Sequence, residues 1–186
     1  MLAAVQPRPM SSTMHATRQA LLNRLESLGI RTTTLDHPAV FTVAESTGIE
    51  KQLPGGHTKN LFLKCKKGGI YLVVALNDAV IDLKSLHKPL GSGRLSFGSA
   101  DVLDEVLGVK PGSVTPFALI NDVGHRVTVI LDEGMLRHDF LNYHPLENTA
   151  TTNIARDDLL RFIRACGHAP RIVAVDGAAS SPGSNV

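Results

Sequence analysis

An unbroken apolar segment, IYLVVAL at residues 70–76, lies near the middle of the chain. Such a run, rich in β-branched side chains, is typical of a strand that is covered on both faces of a sheet. VTVIL at residues 127–131 has the same character. Both segments therefore predict central strands of one sheet.

Each central strand is preceded by a second apolar segment and a turn. LFLKC at residues 61–65 leads into residues 70–76 through Lys-Lys-Gly-Gly, and FALI at residues 117–120 leads towards residues 127–131 through Asn-Asp-Val-Gly. We expect both pairs to be hairpins, because these residues adopt the backbone conformations of tight turns. Weaker strand candidates are residues 40–43 and 171–175.

Three segments have the apolar spacing of amphipathic helices. They are residues 17–28, 99–107 and 157–166, and each is followed by a glycine that can end a helix. A shorter helix is expected around residues 45–53. Since helices and strands do not alternate regularly, the sequence predicts an α+β fold in which helices surround a mixed, largely antiparallel sheet.

The composition is that of one soluble globular domain. Of the 186 residues, 43% are apolar and 19% are charged, and only two are cysteines. No apolar run approaches the roughly 20 residues of a membrane helix, and residues 1–14 lack the apolar block of a secretory signal. We therefore expect a cytoplasmic protein whose domain spans residues 15–176, between flexible tails at residues 1–14 and 177–186.

Positive charge is concentrated in the middle of the chain. Residues 51–94 contain eight lysines and arginines and two aspartates, a net charge of +6, whereas the rest of the chain carries −4. A basic segment on a nearly neutral chain is suited to a phosphate-bearing partner. A solvated lysine face is the simpler alternative when charge alone is considered.

The signatures of common enzyme classes are absent. The sequence contains no GxxxxGK[ST] phosphate loop, no GxSxG nucleophile, and no CxxC or HExxH pair. Cys65 lies on an expected inward strand face and is interpreted as a small buried hydrophobic residue. A metal site built in space from His37, His57 and His144 is a minor alternative, and we expect neither a metal nor a cofactor.

Polar residues in three places are candidates for a binding site. Lys59 and Asn60 open the apolar strand at residues 61–65, where they can line one cleft only if the strand begins irregularly, because neighbouring strand residues point to opposite faces. His144 precedes a proline, which favours extended backbone. The N–H groups of residues 111–116 suit an anion or a carbonyl group. Ordinary structural roles remain open for all three: a surface lysine beside a turn asparagine, a core histidine, and a rigid turn.

Five segments occur in a characteristic order: HPAVFTV at residues 37–43, GGHTKNLFL at 55–63, GSGRLSF at 91–97, GSVTPF at 112–117 and NYHPL at 142–146. Together they resemble the YbaK/prolyl-tRNA-editing family, over a range from about residue 17 to residue 176. The resemblance implies the family fold, a barrel-like mixed sheet surrounded by helices. It further implies the activity of the free-standing members that hydrolyse alanine wrongly esterified to proline tRNA.

The resemblance also implies roles for individual residues. Lys59 matches the residue most associated with activity, and Asn60 and His144 match residues that position the substrate. Arg94 matches a position implicated in reading the acceptor stem of the tRNA. The segment whose backbone contacts the aminoacyl group is matched by Gly112, Ser113, Val114, Thr115 and Pro116. As further tRNA-binding residues we expect Lys64, Lys66 and Lys67.

An aminoacyl ester is already activated, so its hydrolysis needs a placed water and a stabilised oxyanion but no covalent nucleophile. We expect amides around Ser113 and Val114 to polarise the ester carbonyl. Lys59 would hold the terminal phosphate or ribose, and the 2′-hydroxyl group would help to activate water. The rival scheme, with Lys59 as general base, requires burial of its amine.

Two other functions stay open at this point. One is a sister deacylase that acts on Cys-, Ser- or Thr-tRNA, and the other is a non-catalytic module that binds tRNA. The expected partner is the acceptor end of aminoacyl-tRNA(Pro), with no membrane and no DNA. An association with prolyl-tRNA synthetase is left open.

Overall fold

The computed structural model describes residues 14–39, 48–49 and 51–177 of the chain. The strand expected at residues 40–43, residues 45–47 and 50 of the helix expected at residues 45–53, and nearly all of both tails lie outside these ranges. Among the helices that are described, none is long and apolar enough to cross a membrane.

Within the described ranges, eight strands form one mixed sheet that does not close into a barrel. The strands are β1 (Thr32–Asp36), β2 (Gly56–Cys65), β3 (Ile70–Leu76), β4 (Leu95–Phe97), β5 (Val127–Asp132), β6 (Phe140–Tyr143), β7 (Ala150–Ala155) and β8 (Arg171–Val173). Seven strands follow the order β1-β7-β6-β2-β3-β5-β8, and β4 pairs with β2. Four pairs, including the predicted β2–β3 hairpin, are antiparallel, and three are parallel. The predicted α+β fold is confirmed.

The hairpin predicted over residues 117–131 is wrong. Pro116–Asn121 form a 3₁₀ helix, and the strand that β5 pairs with on this side is β3, in parallel. Pro116 has a fixed φ and no N–H group, which disfavours a strand at this point. The hydroxyl group of Thr115 accepts a hydrogen bond from the Phe117 N–H at 3.3 Å and caps the turn.

The three long helices that the apolar spacing predicts are confirmed. The first two begin after capping residues: Thr17 Oγ1 accepts from the Ala20 N–H at 3.2 Å, and Ser99 Oγ accepts from the Val102 N–H at 3.4 Å. Each of the three is followed by a glycine with positive φ. The helices, with one further short turn, are α1 (Arg18–Ser27), α2 (His87–Leu90), α3 (Ala100–Leu107) and α4 (Arg156–Ala165).

The sheet is covered on both faces. Phe62 and Val74 belong to a core layer formed with α1, α3, α4 and the 3₁₀ helix, which we call the three-helix face. Leu63 and Val73 belong to a second layer formed with α2 and the segments around it, which we call the α2 face. Because side chains alternate along a strand, even-numbered residues of β2 point to the three-helix face and odd-numbered residues to the α2 face.

Candidate active site

Among the described residues, the sheet has an opening beside the middle of β2. β6 pairs with β2 only at Gly56 and His57, and β4 pairs with it only from Leu63 onwards. Between these points, residues 58–62 have β3 on one side and no described strand on the other. We call this strand edge, which is unpaired in the part of the chain that the structure describes, the β2 opening.

His144 leaves β6 at one end of the β2 opening. β6 runs parallel to β2 with Asn142 opposite His57. The Thr58 hydroxyl donates to the Asn142 carbonyl oxygen at 2.9 Å, which continues the contact beyond the paired residues. Two residues beyond the Asn142–His57 pair, the two strands reach His144 and Lys59, respectively. The topology thus brings these two predicted site residues to the same opening.

The amine of Lys59 is held by backbone carbonyl groups on the α2 face. Its Nζ donates to Asn77 O at 3.0 Å and to Ala79 O. Both acceptors lie directly after β3, so they fix the tip of a partly buried lysine. An ammonium group has three N–H donors, and these two contacts leave one for a ligand. An amine that already donates to two carbonyl oxygens is better suited to donate a third hydrogen bond to a ligand than to accept a proton as a general base.

Asn60 points away from Lys59, so the irregular strand start considered above does not occur. Lys59 and Asn60 pair in regular register with Ala75 and Val74, and their side chains leave on opposite faces of β2 at the β2 opening. Asn60 Oδ1 is buried and has no hydrogen-bond partner among the described residues. Leaving a buried acceptor unpaired costs about 1–3 kcal/mol. The atom is therefore suited to accept from a ligand.

His144 presents an unprotonated ring nitrogen. Its Nδ1 lies 2.9 Å from Ala150 O, and because a carbonyl oxygen only accepts, Nδ1 carries the hydrogen. Burial lowers the pKa of His144; the bond to Ala150 opposes this shift, and the charge of a protonated His37 adds to it. The neutral ring is therefore favoured, and its Nε2 keeps a lone pair that can accept from a water or a hydroxyl group.

Buried amide side chains anchor the turn that leads into β2, and sequence reasoning missed them. Asn142 Nδ2 donates to Pro54 O at 3.1 Å and to Gly56 O at 3.3 Å. Asn153 Nδ2 donates to Pro54 O at 2.8 Å and to Asn142 Oδ1 at 2.9 Å. These bonds tie β6 and β7 to the start of the strand that carries Lys59. Asn142 could have been found from the sequence, because it is the first residue of the NYHPL motif. Asn153 lies in none of the five segments, so the sequence contained no signal for it.

The loop of residues 112–116 lies beside the turn that follows His144. Gly112 has φ +89°, in the left-handed region that favours glycine. A Cβ atom on Gly112 would lie 3.9 Å from Nδ2 of Asn148, in the segment between His144 and β7. At the other end of the loop, Pro116 is buried at the start of the 3₁₀ helix.

The amides of this loop are only partly free. The Ser113 N–H donates to Lys110 O at 2.9 Å, so it is not available to a ligand. The N–H groups of Val114 and Thr115 make no hydrogen bond within the part of the chain that the structure describes. The expectation that the Ser113 N–H contributes to polarising the ester carbonyl is therefore wrong. The candidate donors are the N–H groups of Val114 and Thr115.

The three histidines considered as metal ligands have separate hydrogen-bond partners. His37 Nε2 lies 2.9 Å from Thr151 Oγ1, and His57 Nε2 lies 3.1 Å from Leu53 O. Across the described ranges, no group of three or more His, Cys, Asp or Glu residues is placed to hold a metal ion. Cys65 is buried in the layer on the α2 face, as expected.

Comparison with known proteins identifies the family. The family model of the aminoacyl-tRNA editing domain matches residues 37–162, a range that includes every candidate site residue. The chain belongs to this family. The resemblance found in the sequence is thereby confirmed.

Relatives of this editing domain extend over most of the chain. Prolyl-tRNA synthetase associated domain-containing protein 1 of Bos taurus is 43% identical over 164 residues, which cover 86% of this chain and 95% of that protein. Prolyl-tRNA editing protein ProX of Acetoanaerobium sticklandii is 37% identical over 152 residues, with coverage of 81% and 93%. A solved structure of a candidate trans-editing enzyme for prolyl-tRNA synthetase has a TM-score of 0.64 at 19% identity, covers 89% of this chain and 98% of its own, and supports the fold.

The candidate tRNA-binding residues of this editing domain lie at the far end of β2 from His144. Lys64 is five residues from Lys59, or about 17 Å at 3.3 Å per residue. The Lys66 N–H donates to Arg94 O at 3.4 Å, which joins the two basic segments. Among the described residues, none of the four forms an ion pair. The exposed residues of this basic surface are Lys64, Lys66, Lys67 and Arg94.

Proposed function

We propose that this chain is a trans-editing hydrolase that removes alanine wrongly esterified to proline tRNA. The observation that carries the proposal is the β2 opening, where an amine donor, a neutral imidazole and an unpaired buried acceptor surround one strand edge. These groups are supplied by Lys59, His144 and Asn60. The names of the Bos taurus and Acetoanaerobium sticklandii relatives support proline tRNA as the nucleic acid.

The reaction adds water across an ester bond. The water oxygen attacks the acyl carbon, the bond between that carbon and the ribose oxygen breaks, and the proton from water passes to the leaving ribose oxygen. Nε2 of His144 accepts a hydrogen bond from the water or from the neighbouring ribose hydroxyl, which orients the nucleophile. The remaining N–H of Lys59 donates to the terminal phosphate or ribose. The amides of Val114 and Thr115 stabilise the oxyanion as it forms.

Recognition of the amino acid uses the buried acceptor. The α-ammonium group of an aminoacyl ester only donates hydrogen bonds, so it pairs with the unused Oδ1 of Asn60. A pocket that fits a methyl side chain excludes the pyrrolidine ring of proline by overlap. Glycine is harder to reject, since one methylene group changes binding by only about 1–3 kcal/mol.

Recognition of the tRNA uses the basic surface at the far end of β2. Arg94 reads a base of the acceptor stem, and its replacement by alanine lowers discrimination between tRNAs by about 1–3 kcal/mol. Lys64, Lys66 and Lys67 bind phosphates and therefore contribute to all tRNAs alike. The cytoplasm, where tRNA is charged, is the proposed site of action. An Arg94→Ala variant with unchanged rate and tRNA preference contradicts the base-reading role.

The experiment that tests the proposal is the release of labelled amino acid from charged proline tRNA by the full chain. Ala-tRNA(Pro) is compared with Pro-tRNA(Pro) and with Cys-, Ser- and Thr-charged tRNA. We expect rapid release of alanine and no release of proline. Faster release of cysteine, serine or threonine identifies a sister deacylase instead. Binding of tRNA without release of any amino acid rejects an enzymatic function.

A further inference from the structure

The two carbonyl groups that hold the amine of Lys59 belong to a short segment directly after β3, residues 77–80. Its first residue extends the β2–β3 ladder, since the Asn77 N–H donates to His57 O at 2.9 Å. Beyond this bond the segment leaves the ladder. The direction of the Ala79 carbonyl group therefore depends on what holds the residue that follows it.

Asp176 holds Val80, the last residue of this segment. Asp176 Oδ1 accepts from the Val80 N–H at 3.0 Å, and the Gly177 N–H donates to Val80 O at 2.8 Å. The Val80 N–H belongs to the same planar, trans peptide group as the Ala79 carbonyl oxygen. The N–H and C=O bonds of such a group point in opposite directions. The hydrogen bond to Asp176 therefore fixes the direction in which the Ala79 oxygen meets Lys59.

The residue before Asp176 is anchored in the core. The Val175 N–H donates to Asp132 Oδ1 at 3.0 Å, and the other oxygen of this carboxylate accepts from the Met135 N–H at 3.2 Å. Asp132 is the last residue of β5 and is 2% exposed. A carboxylate at this depth is tolerated because both of its oxygens have donors. The chain that follows β8 is thereby fixed at the point where Asp176 reaches towards Val80.

We infer that Asp176 is a positioning residue that orients the ammonium group of Lys59 through the peptide group between Ala79 and Val80. The inference rests on the proposed function and adds to it a residue beyond the range that the family model matches. The carboxylate binds the N–H end of this peptide group and the ammonium binds the C=O end, so each bond strengthens the other. With two donors held in this way, the third N–H of Lys59 keeps one direction, towards the substrate.

The first test measures the freedom of the Lys59 amine in the absence of RNA. The full chain reacts with an acetylating N-hydroxysuccinimide ester, and peptide mass spectrometry gives the acetylation rate of Lys59 relative to the exposed Lys64. We expect Asp176→Ala to raise this ratio roughly 2-fold to 12-fold, which corresponds to the net contribution of one hydrogen bond. Asp176→Asn keeps an oxygen acceptor for the Val80 N–H and therefore keeps the wild-type ratio.

Asp82→Ala is the matched control. Asp82 Oδ1 accepts from the Lys84 N–H, also at 3.0 Å and also at an exposed position, so the same kind of bond is lost elsewhere. We expect the acetylation ratio of this variant to equal that of the wild type.

The second test measures alanine release from Ala-tRNA(Pro). Asp176→Ala lowers kcat by a factor similar to the rise in acetylation and leaves KM unchanged, whereas Asp176→Asn retains the wild-type kcat. In a Lys59→Met background, Asp176→Ala has no further effect, because a residue that acts through Lys59 has no amine left to orient. A merely structural role for Asp176 would lower the rate in both backgrounds.

An unchanged acetylation ratio in Asp176→Ala overturns the inference, and so does an equal rise in Asp176→Asn or in Asp82→Ala. A loss of kcat that persists undiminished in the Lys59→Met background also overturns it. The expected acetylation ratios, combined with no release of alanine by the wild type, contradict the proposed function alone. If Asp176→Ala fails to fold, Asp176→Glu takes its place with the same expected rise, because it keeps the charge but shifts the carboxylate by one methylene group.

Discussion

Replacing Lys59 by methionine removes the amine from the β2 opening while keeping most of the side-chain length. Two of its N–H donors are bonded to Asn77 O, at 3.0 Å, and to Ala79 O. The third is the donor that the substrate uses in the proposed reaction. When this donor faces the ribose oxygen, where negative charge develops as the ester bond breaks, its removal lowers the rate by about 10²–10³. We therefore expect Lys59→Met to lower kcat/KM for Ala-tRNA(Pro) by about 10²–10³.

The assay is single-turnover release of labelled alanine, together with urea unfolding of each variant. Unfolding is needed because the substitution also leaves two carbonyl groups without their donor, which costs about 1–3 kcal/mol for a buried group. Lys64→Met is the matched control, since it makes the same change on the same strand at an exposed position. We expect the control to weaken tRNA binding and to reduce its salt dependence, with the rate at saturation unchanged.

The result that refutes the donor role is a folded Lys59→Met variant that keeps more than about a tenth of the wild-type rate. Equal losses of the alanine-release rate in Lys59→Met and Lys64→Met also refute the donor role. In that case both lysines act only through their attraction for RNA.

Three further predictions concern side chains away from Lys59. Burial lowers the pKa of His144, so we expect the rate of alanine release to stay constant at pH values above 6.5, the ordinary pKa of histidine. At lower pH the rate falls as Nε2 is protonated. His144→Gln releases alanine more slowly and lacks this fall. Asn142→Ala removes donors to the turn at Pro54 and lowers the free energy of unfolding by about 1–3 kcal/mol in urea, and an unchanged value contradicts the anchoring role. Burial also lowers the pKa of His168, so below pH 6.5 the unfolded chain binds a proton more readily and the fold loses stability as pH falls. His168→Gln should reduce this loss in melting curves recorded between about pH 8 and pH 5, and equal slopes for both proteins rule out the contribution.

The elements that could be predicted from the sequence are those with strong local signals. The stripe of leucines in α1 and the apolar run of β3 define a helix and a central strand without reference to the rest of the chain. β1 and β7, with sequences TTTLD and ATTNIA, lack such a signal. All but the last residue of β7 are buried nonetheless, because its polar side chains find partners on β1, on β6 and on the turn before β2. At Pro116–Asn121 a local signal was present but misleading. The apolar residues predicted a strand, although a proline precedes them.

The candidate site could be predicted as a set of residues but not as an arrangement. Lys59, Asn60 and His144 follow from the motifs, whereas the β2 opening depends on where β4 and β6 pair with β2. The carbonyl partners of Lys59 also lie outside any motif, because they are backbone atoms that the β2–β3 register brings near. Such contacts depend on tertiary pairing, and no local pattern in the chain encodes them.

The most direct test of the account is a crystal structure of the full chain with adenosine that carries alanine through a hydrolysis-resistant amide bond. We predict that the ribose lies in the β2 opening between Lys59 and His144, and that the α-amino group lies within hydrogen-bond distance of Asn60 Oδ1. An alanyl group bound elsewhere in the protein, with no contact to these three residues, contradicts the account.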